Sequence, residues 1–458
     1  MSSADSIVAI ASAAGRSAVG IVRVSGPDVP RIATEILGKL PEPRVATRAR
    51  FRDTEGNGLD EGIAIYFAAP ASFTGEHVLE LQGHGGIVVL DLLVARLLQL
   101  GCRAARPGEF SERAFLNGKI DLAQAEAVAD LIDAGTSAAA RAAVRSIQGE
   151  FSLRVHALQA QLTELRVYVE AAIDFPDEEI ESMSDRAQSG RLAQVFDAFD
   201  ALLAAARQGA LLREGLNVVI AGKPNAGKSS LLNRLVGDEV AIVTEHPGTT
   251  RDLLRHAVEI DGLPINLIDT AGLRSAIDAV EAEGVRRALR EIGRADRVLY
   301  VVDAGPAHAE AADAAARSPD LSEQLAHLPS DVAVTIVFNK IDVAAIDAHI
   351  DESSTPVRLF LSARTGAGID GLRAHLKQVA GFDGAIGGTL SARRRHLDAL
   401  HRARDHTQKA VEAWGSSRSP ELLAEDLRYA QQALGEITGE FSSDDLLGEI
   451  FGSFCIGK

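Results

Sequence analysis

Up to about residue 107, apolar residues come in short runs broken by glycine and proline, the mark of alternating strands and helices. The pattern predicts strands over Ile7–Ala11, Val19–Val24, Ile63–Phe67 and Val78–Gln82, with helices over Val29–Leu40 and Val88–Leu100. In the stretch HVLELQG a period of two places Leu79 and Leu81 on one face and Val78, Glu80 and Gln82 on the other. Glu80, beside a glycine-rich turn, reads on its own as a solvated carboxylate.

From Pro107 the period lengthens. Between Gly108 and Phe175 there is no proline, alanine is frequent, and Val155, Leu158, Leu162, Leu165 and Val169 step by three and four, a stripe suited to a helix bundle. Pro176, Asp177, Glu178 and Glu179 form an acidic turn, after which Leu192–Leu212 is again helical. Further helical tracts run from Leu390 to Trp414 and from Pro420 to Phe454. Between the helical regions lie buried-strand runs at Val218–Ala221, Pro264–Ile268 and Val332–Phe338. The simplest organisation is a helical domain interrupted by an inserted domain whose two ends lie close together. The predicted fold class is therefore multidomain. Its parts are an α+β amino-terminal domain (1–118), a split all-α helical domain (119–212 and 381–458), and an inserted α/β domain (213–380) whose first strand runs into Gly222, four residues, Gly227, Lys228 and Ser229, the spacing of a Ras-like P-loop. Gly381–Gly388 reads as the linker leaving the insert.

Composition narrows the setting. At 458 residues and 46% hydrophobic, the chain can bury cores without disulfides. Cys102 and Cys455 are its only cysteines, which excludes a disulfide framework or thiolate metal cluster and fits a reducing compartment. With no basic-flanked apolar leader and no apolar run of bilayer length, a cytoplasmic location away from membranes is expected. A net charge of −17 argues against a protein that coats nucleic acid, so DNA is not an expected partner and any RNA contact is local. Arg393, Arg394, Arg395, His396, Arg402 and Arg404 form the best basic cluster, with a solvated helix face as the other reading.

The candidate chemistry centres on LNVVIAGKPNAGKSSLLN, residues 216–233. An apolar strand runs into Gly222, four residues, then Gly227, Lys228 and Ser229, and on into a helix. Glycines at that spacing let successive N–H groups face a phosphate while the following helix presents its positive end. In this cradle of Asn225, Ala226, Gly227, Lys228, Ser229 and Ser230, Lys228 reaches the β and γ phosphates and the Ser229 hydroxyl suits Mg²⁺. Asp269, Thr270, Ala271 and Gly272 end the next strand, where the carboxylate suits a Mg²⁺ contact and the Gly272 N–H senses the γ-phosphate. Asn339, Lys340, Ile341 and Asp342 end another; Asp342 offers two acceptors to a donor edge that guanine has and adenine lacks. Ser362, Ala363 and Arg364 end one more, where backbone groups meet the guanine carbonyl. Together these motifs predict a guanine-nucleotide domain.

The loop of Thr244, Glu245, His246, Pro247, Gly248, Thr249 and Thr250 is expected to cover the nucleotide, with Thr250 completing the Mg²⁺ shell. Ras-type switches place a water-orienting Gln where this chain has Leu273, which cannot polarise water. Glu281 is the candidate replacement, acting through an intervening water; a favourable charge at a helix N-terminus is the alternative. The Asn225 amide carbonyl is a candidate ligand for a monovalent cation in place of an arginine finger, or it only shapes the turn.

The segments GRSAVGIVRVSG, GKPNAGKSSLLN, PGTTRD, DTAGLR, NKID and FCIGK together resemble the MnmE (TrmE) family of tRNA modification GTPases along the whole chain. The resemblance implies a potassium-dependent GTP hydrolase that dimerises through its amino-terminal domain. It implies joint action with an MnmG-type flavoprotein, which carries FAD, on the wobble uridine of certain tRNAs. The group added at C5 would be of carboxymethylaminomethyl type, its one-carbon unit drawn from 5-formyl- or methylene-tetrahydrofolate. By the same resemblance Asn225, Thr244, His246 and Thr249 hold K⁺, Ser229 and Thr250 hold Mg²⁺, Glu281 and Lys228 are catalytic, and Arg23, Glu80, Lys119 and Lys458 hold folate. His246 stands at a position that varies in the family, Ala13 and Ala14 replace common prolines, and Cys455 either reacts or only packs. A ribosome-assembly or RNA-binding GTPase switch is the alternative, but it would carry an appended RNA-binding domain where this chain is helical. A dynamin-like membrane GTPase would need a lipid-facing basic or amphipathic surface.

Overall fold

The computed structural model describes residues 5–13, 15–174, 186–238, 255–269, 292–293, 295–305, 325, 328–329, 332–382, 390–417, 420–441 and 444–457. Two compact units divide the chain: residues 1–129, 146–199 and 398–458 form one, residues 130–145 and 200–397 the other.

The first unit holds a six-stranded sheet built from β1 (Ile7–Ile10), β2 (Ser17–Ser25), β3 (Thr47–Arg52), β4 (Gly58–Phe67), β5 (Val78–Gly85) and β6 (Arg103–Ala104), in the order β3-β4-β5-β2-β1-β6. Every pairing is antiparallel except β1 with β6. Alternation sorts the faces. Val22, Val24, Leu79 and Leu81 point to a core shared with Ile32 and Ile36 of α1 (Val29–Leu37) and Leu93 and Leu97 of α2 (Ile87–Gln99). Arg23 and Glu80, one residue out of phase and paired across β2 and β5, take the opposite face. The helix expected to reach Leu40 stops at Leu37, where Gly38 adopts a left-handed cap.

The same unit contains α3 (Glu109–Leu116), α4 (Leu122–Ile132, as far as Ala129) and α6 (Glu150–Asp174). Between α4 and α6 the chain forms α5 (Ser137–Ile147). The predicted stripe on α6 is buried throughout: Val155, Leu158, Leu162, Leu165 and Val169 are all at most 6% exposed. Fully buried Leu427, Ala430 and Leu434 lie on its partner α12 (Pro420–Thr438). The long tract expected to end at Phe454 is broken after Thr438, where the N–H groups of Gly439 and Glu440 both bond to the Gly435 carbonyl at 2.9 Å, and resumes as α13 (Asp444–Gly452). Ile450, Phe451 and Phe454 then pack with Leu122 and Ala125.

The second unit is a seven-stranded sheet in the order β12-β13-β11-β10-β7-β9-β8, with β7 (Leu216–Gly222), β8 (Arg255–Ile260), β9 (Leu263–Asp269), β10 (Arg297–Asp303), β11 (Val334–Asn339), β12 (His349–Asp351) and β13 (Val357–Phe360). The inner strands are parallel, with β8 and β12 antiparallel at the edges. Parallel strands buried on both faces must be apolar throughout, and Val218, Val219 and Ile220 of β7 are fully buried. On one side Ile220, Val337 and Leu359 pack with Leu231 and Leu235 of α8 (Lys228–Asp238) and Leu372 and Leu376 of α10 (Ile369–Ala380), which follows the short α9 (Ile341–Ala344). The chain reaches this sheet through α7 (Arg186–Glu214) and leaves it for α11 (Arg394–Ser417). Asp130 ties both passages: it accepts from Arg213 Nε at 2.8 Å, Arg393 Nη2 at 2.9 Å and Ser391 Oγ at 2.5 Å. Among the described residues no helix is long and apolar enough to cross a membrane.

Candidate functional site

In an open parallel sheet, ligands sit beyond the carboxyl ends of the strands. Among the described residues, the cradle, Asn339–Asp342 and Ser362–Arg364 fall there, following β7, β11 and β13, and Asp269 ends β9; these strands are neighbours on either side of β10. The cradle after β7 is shaped by where its carbonyls go. Lys228 Nζ donates to the carbonyls of Gly222 at 2.9 Å and Lys223 at 2.8 Å. Lys340 Nζ donates to the Asn225 carbonyl at 2.8 Å, and Asn339 Nδ2 to that of Ala226 at 3.0 Å. With these carbonyls engaged by side chains, N–H groups of the loop can face an anion, though that of Ala226 donates to the Lys223 carbonyl at 3.4 Å. Gly227 is required by contact: a Cβ there would sit 2.2 Å from Asn339 Nδ2, on a backbone with φ +94°. Asn225 is itself left-handed at φ 62°, a conformation Asn tolerates better than most residues. Ser229 and Ser230 are exposed in the first turn of α8.

The NKID segment, expected to read the base, is also a brace. Asn339, 2% exposed, accepts from the N–H groups of Lys340 at 2.8 Å and Ala363 at 2.9 Å while donating to the cradle. It thereby joins the turns after β7, β11 and β13. Asp342 accepts from Ser362 Oγ at 2.6 Å and pairs with Arg364. The Ser362 hydroxyl, and then the Arg364 guanidinium, hold the Asp342 carboxyl below its ordinary value. Asp342 is therefore ionised with both oxygens accepting, the form a guanine edge needs. Ile341 is buried at the start of α9, and the Ala363 backbone lies next to this carboxylate pair.

Sequence reasoning missed Asp303. It ends β10 between the two motif strands, its Oδ2 lies 2.6 Å from Lys340 Nζ, and its Oδ1 accepts from the Gly305 N–H at 2.9 Å. The signal was present, since the apolar run VLYVV ends in this carboxylate as other strands here end in motif residues. Thr244, Glu245, His246, Pro247, Gly248, Thr249, Thr250, Thr270, Ala271, Gly272, Glu281 and Lys458 lie outside the described residues, as does Ala14; of Asp269 the backbone alone is described.

In the first unit Arg23 and Glu80 come together. Arg23 Nη2 lies 2.9 Å and Nε 3.0 Å from Glu80 Oε1, so the carboxylate read alone as solvated has a cationic partner. The Arg23 guanidinium lies 5.8 Å from the centre of the Phe110 ring, and its Nη1 reaches the Gly457 carbonyl at 3.5 Å. Gly457 is buried with φ +99°, and a Cβ there would stand 2.2 Å from the Ile10 carbonyl. The Gly108 N–H donates to the Cys455 carbonyl at 3.3 Å. Lys119 instead donates to the Pro70 carbonyl at 3.1 Å. Cys455 is exposed, whereas Cys102 is buried and its thiol is pushed up to about 12 by that burial.

A family model for the MnmE helical domain matches residues 122–455, and one for the GTP-binding protein TrmE N-terminus matches residues 6–119. Two relatives, both named tRNA modification GTPase MnmE, come from Yersinia pseudotuberculosis serotype IB (strain PB1/+) and serotype I (strain IP32953). Each is 57% identical over 459 residues, spanning 100% of this chain and 100% of the relative. Among solved structures, the G domain of the T. maritima FeoB iron transporter matches at 26% identity and TM-score 0.26, over 36% of this chain and 98% of that one.

Proposed function

The chain belongs to the MnmE (TrmE) family of tRNA modification GTPases, and from that premise we propose a potassium-dependent GTP hydrolase that works with an MnmG-type flavoprotein. Together they add a carboxymethylaminomethyl-type group to C5 of the wobble uridine of certain tRNAs, with FAD supplied by the partner. The observation that carries the GTP end of this reading is the engagement of four cradle carbonyls by Lys228, Asn339 and Lys340. It leaves amides and a helix N-terminus for the phosphates, with an ionised Asp342 for the base.

Each residue has one task in the proposal. Lys228 offsets charge on the transferring phosphoryl oxygens. Ser229, exposed at the start of α8, would ligate Mg²⁺ with Thr250 and with Asp269 close by, a hard-oxygen donor set that suits the ion. Asn225 would hold K⁺ by its amide oxygen, with Thr244, His246 and Thr249. Glu281 would orient the attacking water. Arg23 and Glu80, with Lys458 and Lys119, would hold a 5-formyl- or methylene-tetrahydrofolate: a carboxylate accepts from pterin N–H donors and cations hold the glutamate tail. Bound folate supplies the one-carbon unit. The remaining proposals are a homodimer formed through residues 1–118, a cytoplasmic location, and insertion of 213–380 into a helical domain of 119–212 and 381–458. The Asp130 tie between the two passages supports the insertion.

The test is nucleoside analysis of tRNA from cells lacking the chain, complemented by wild type or by Glu281→Ala. Loss of the wobble modification, restored by wild type and not by the variant, is expected. Fully modified anticodons in the deletion strain would overturn the proposal.

A further inference from the structure

Asp303 has no role of its own in the proposed nucleotide, metal or base site, yet it touches Lys340 of that site and ends the central strand at the carboxyl edge. Its two oxygens are both directed. The Gly305 N–H fixes Oδ1 at 2.9 Å, which aims Oδ2 at Lys340 Nζ, 2.6 Å away. The Lys340 ammonium also donates to the Asn225 carbonyl at 2.8 Å. Asn225 is a left-handed residue, so the direction of its side chain depends on which way its own peptide groups are turned. The peptide that follows Asn225 is the one Lys340 grips.

We propose that Asp303 is a positioning residue for the monovalent-cation site: through Lys340 it holds the Asn225 peptide in the left-handed turn that presents the Asn225 amide oxygen to K⁺. This rests on the reading of Asn225 as a K⁺ ligand. The neighbouring residue makes the effect local. Ala226 has its own tether, from Asn339, and Gly222 and Lys223 have theirs, from Lys228. Loss of the Asp303 carboxylate therefore loosens one peptide of the cradle and leaves the others held. Without its counter-ion the Lys340 ammonium keeps a single, neutral acceptor among its described contacts and turns toward water. A charge-assisted bond is shorter and stronger than a neutral one, which is why the acid and not merely its shape matters.

D303N keeps the size and loses the charge. Two quantities are read on the full-length protein: the KCl concentration giving half-maximal GTP hydrolysis, at constant ionic strength with choline chloride, and the dissociation constant for GDP without K⁺. The expected result is a rise of about fivefold in half-activating K⁺, the scale of one weakened charge-assisted contact. Turnover at saturating K⁺ and GDP affinity stay within about twofold. D303E, which keeps the charge on a longer arm, recovers part of the K⁺ response. If D303N fails to bind GDP, D303E carries the same comparison with a smaller displacement. Unchanged half-activation overturns the proposal, and so does an equal loss of K⁺ response and GDP affinity, which marks a general structural role. If wild type hydrolyses GTP equally in K⁺, Na⁺ and choline, the reading of Asn225 as a cation ligand has failed, an outcome separate from a defect confined to Asp303.

Discussion

The nucleotide cradle and the Arg23–Glu80 pair use opposite means to aim their groups. In the cradle, side chains from strand ends grip backbone carbonyls, so the working surface is the peptide itself and a few residues at fixed spacing define it. In the amino-terminal domain, the paired groups are side chains, Arg23 and Glu80, brought together by strand pairing and approached by a carbonyl 434 positions along the chain. The first arrangement leaves a motif in the sequence. The second leaves only alternation.

That contrast can be pressed by mutation, beginning where the effect is greatest. Lys228→Ala removes both the charge for the phosphates and the tether on two cradle carbonyls, so GTP turnover should fall by about 10² or more. Steady-state hydrolysis checks it, and a wild-type rate would remove Lys228 from the mechanism. Asp342→Asn exchanges an acceptor for a donor at the base edge. GTP affinity should drop by about tenfold to a hundredfold, as for a lost charged hydrogen bond, while xanthosine triphosphate gains in competition. An unaltered preference would mean that the base is read elsewhere.

In the head, Gly457→Ala places a methyl group 2.2 Å from the Ile10 carbonyl on a backbone that disfavours side chains. Tetrahydrofolate binding, followed by pterin absorbance in equilibrium dialysis, should weaken by roughly tenfold with GTP hydrolysis unchanged. Equal loss of both activities would show that the two sites are not built independently. The smallest effect belongs to Glu109. Burial pushes its carboxyl up, but bonds from Arg103, the Arg106 N–H and Arg113 outweigh burial and hold it below the ordinary glutamate value. A depressed folded value contributes in full above the unfolded value, about 4.3, and is lost as pH falls through the folded one. Glu109→Gln should cost about 1–2 kcal/mol near neutrality, and the gap from wild type in thermal midpoint should close on acidification below about pH 4. A gap that widened toward acid would reverse the sign of the argument.

The same contrast explains what could be read from residues alone. The strands beneath the nucleotide motifs were legible because apolar runs end in chemically loaded residues, and the α6 stripe because its spacing is helical from Val155 to Val169. β3 was not legible. In TRARFR, Phe51 is fully buried while Arg50 and Arg52 alternate outward, so the apolar content is too low to announce a strand. The break after Thr438 had a signal, Gly439, left-handed at φ +88° and followed by the polar run SSDD, but the helical reading ran through it. Asp303 ends an apolar run as the motif residues do, but its partner Lys340 became evident only from the pairing of β10 with β11. The Arg23–Glu80 pair needed the register of β2 against β5 and came from the residues only by family resemblance.

The seating of Gly457 against Ile10, and of Cys455 against Gly108, bears on how the protein is made. A ribosome finishes Gly108 long before it reaches Cys455. The amino-terminal domain must therefore wait, its Gly108 N–H without the Cys455 carbonyl, while the helices and the second sheet are synthesised. Its closing step is a late docking event, and a nascent product cut short before Phe451 would display an unfinished seam.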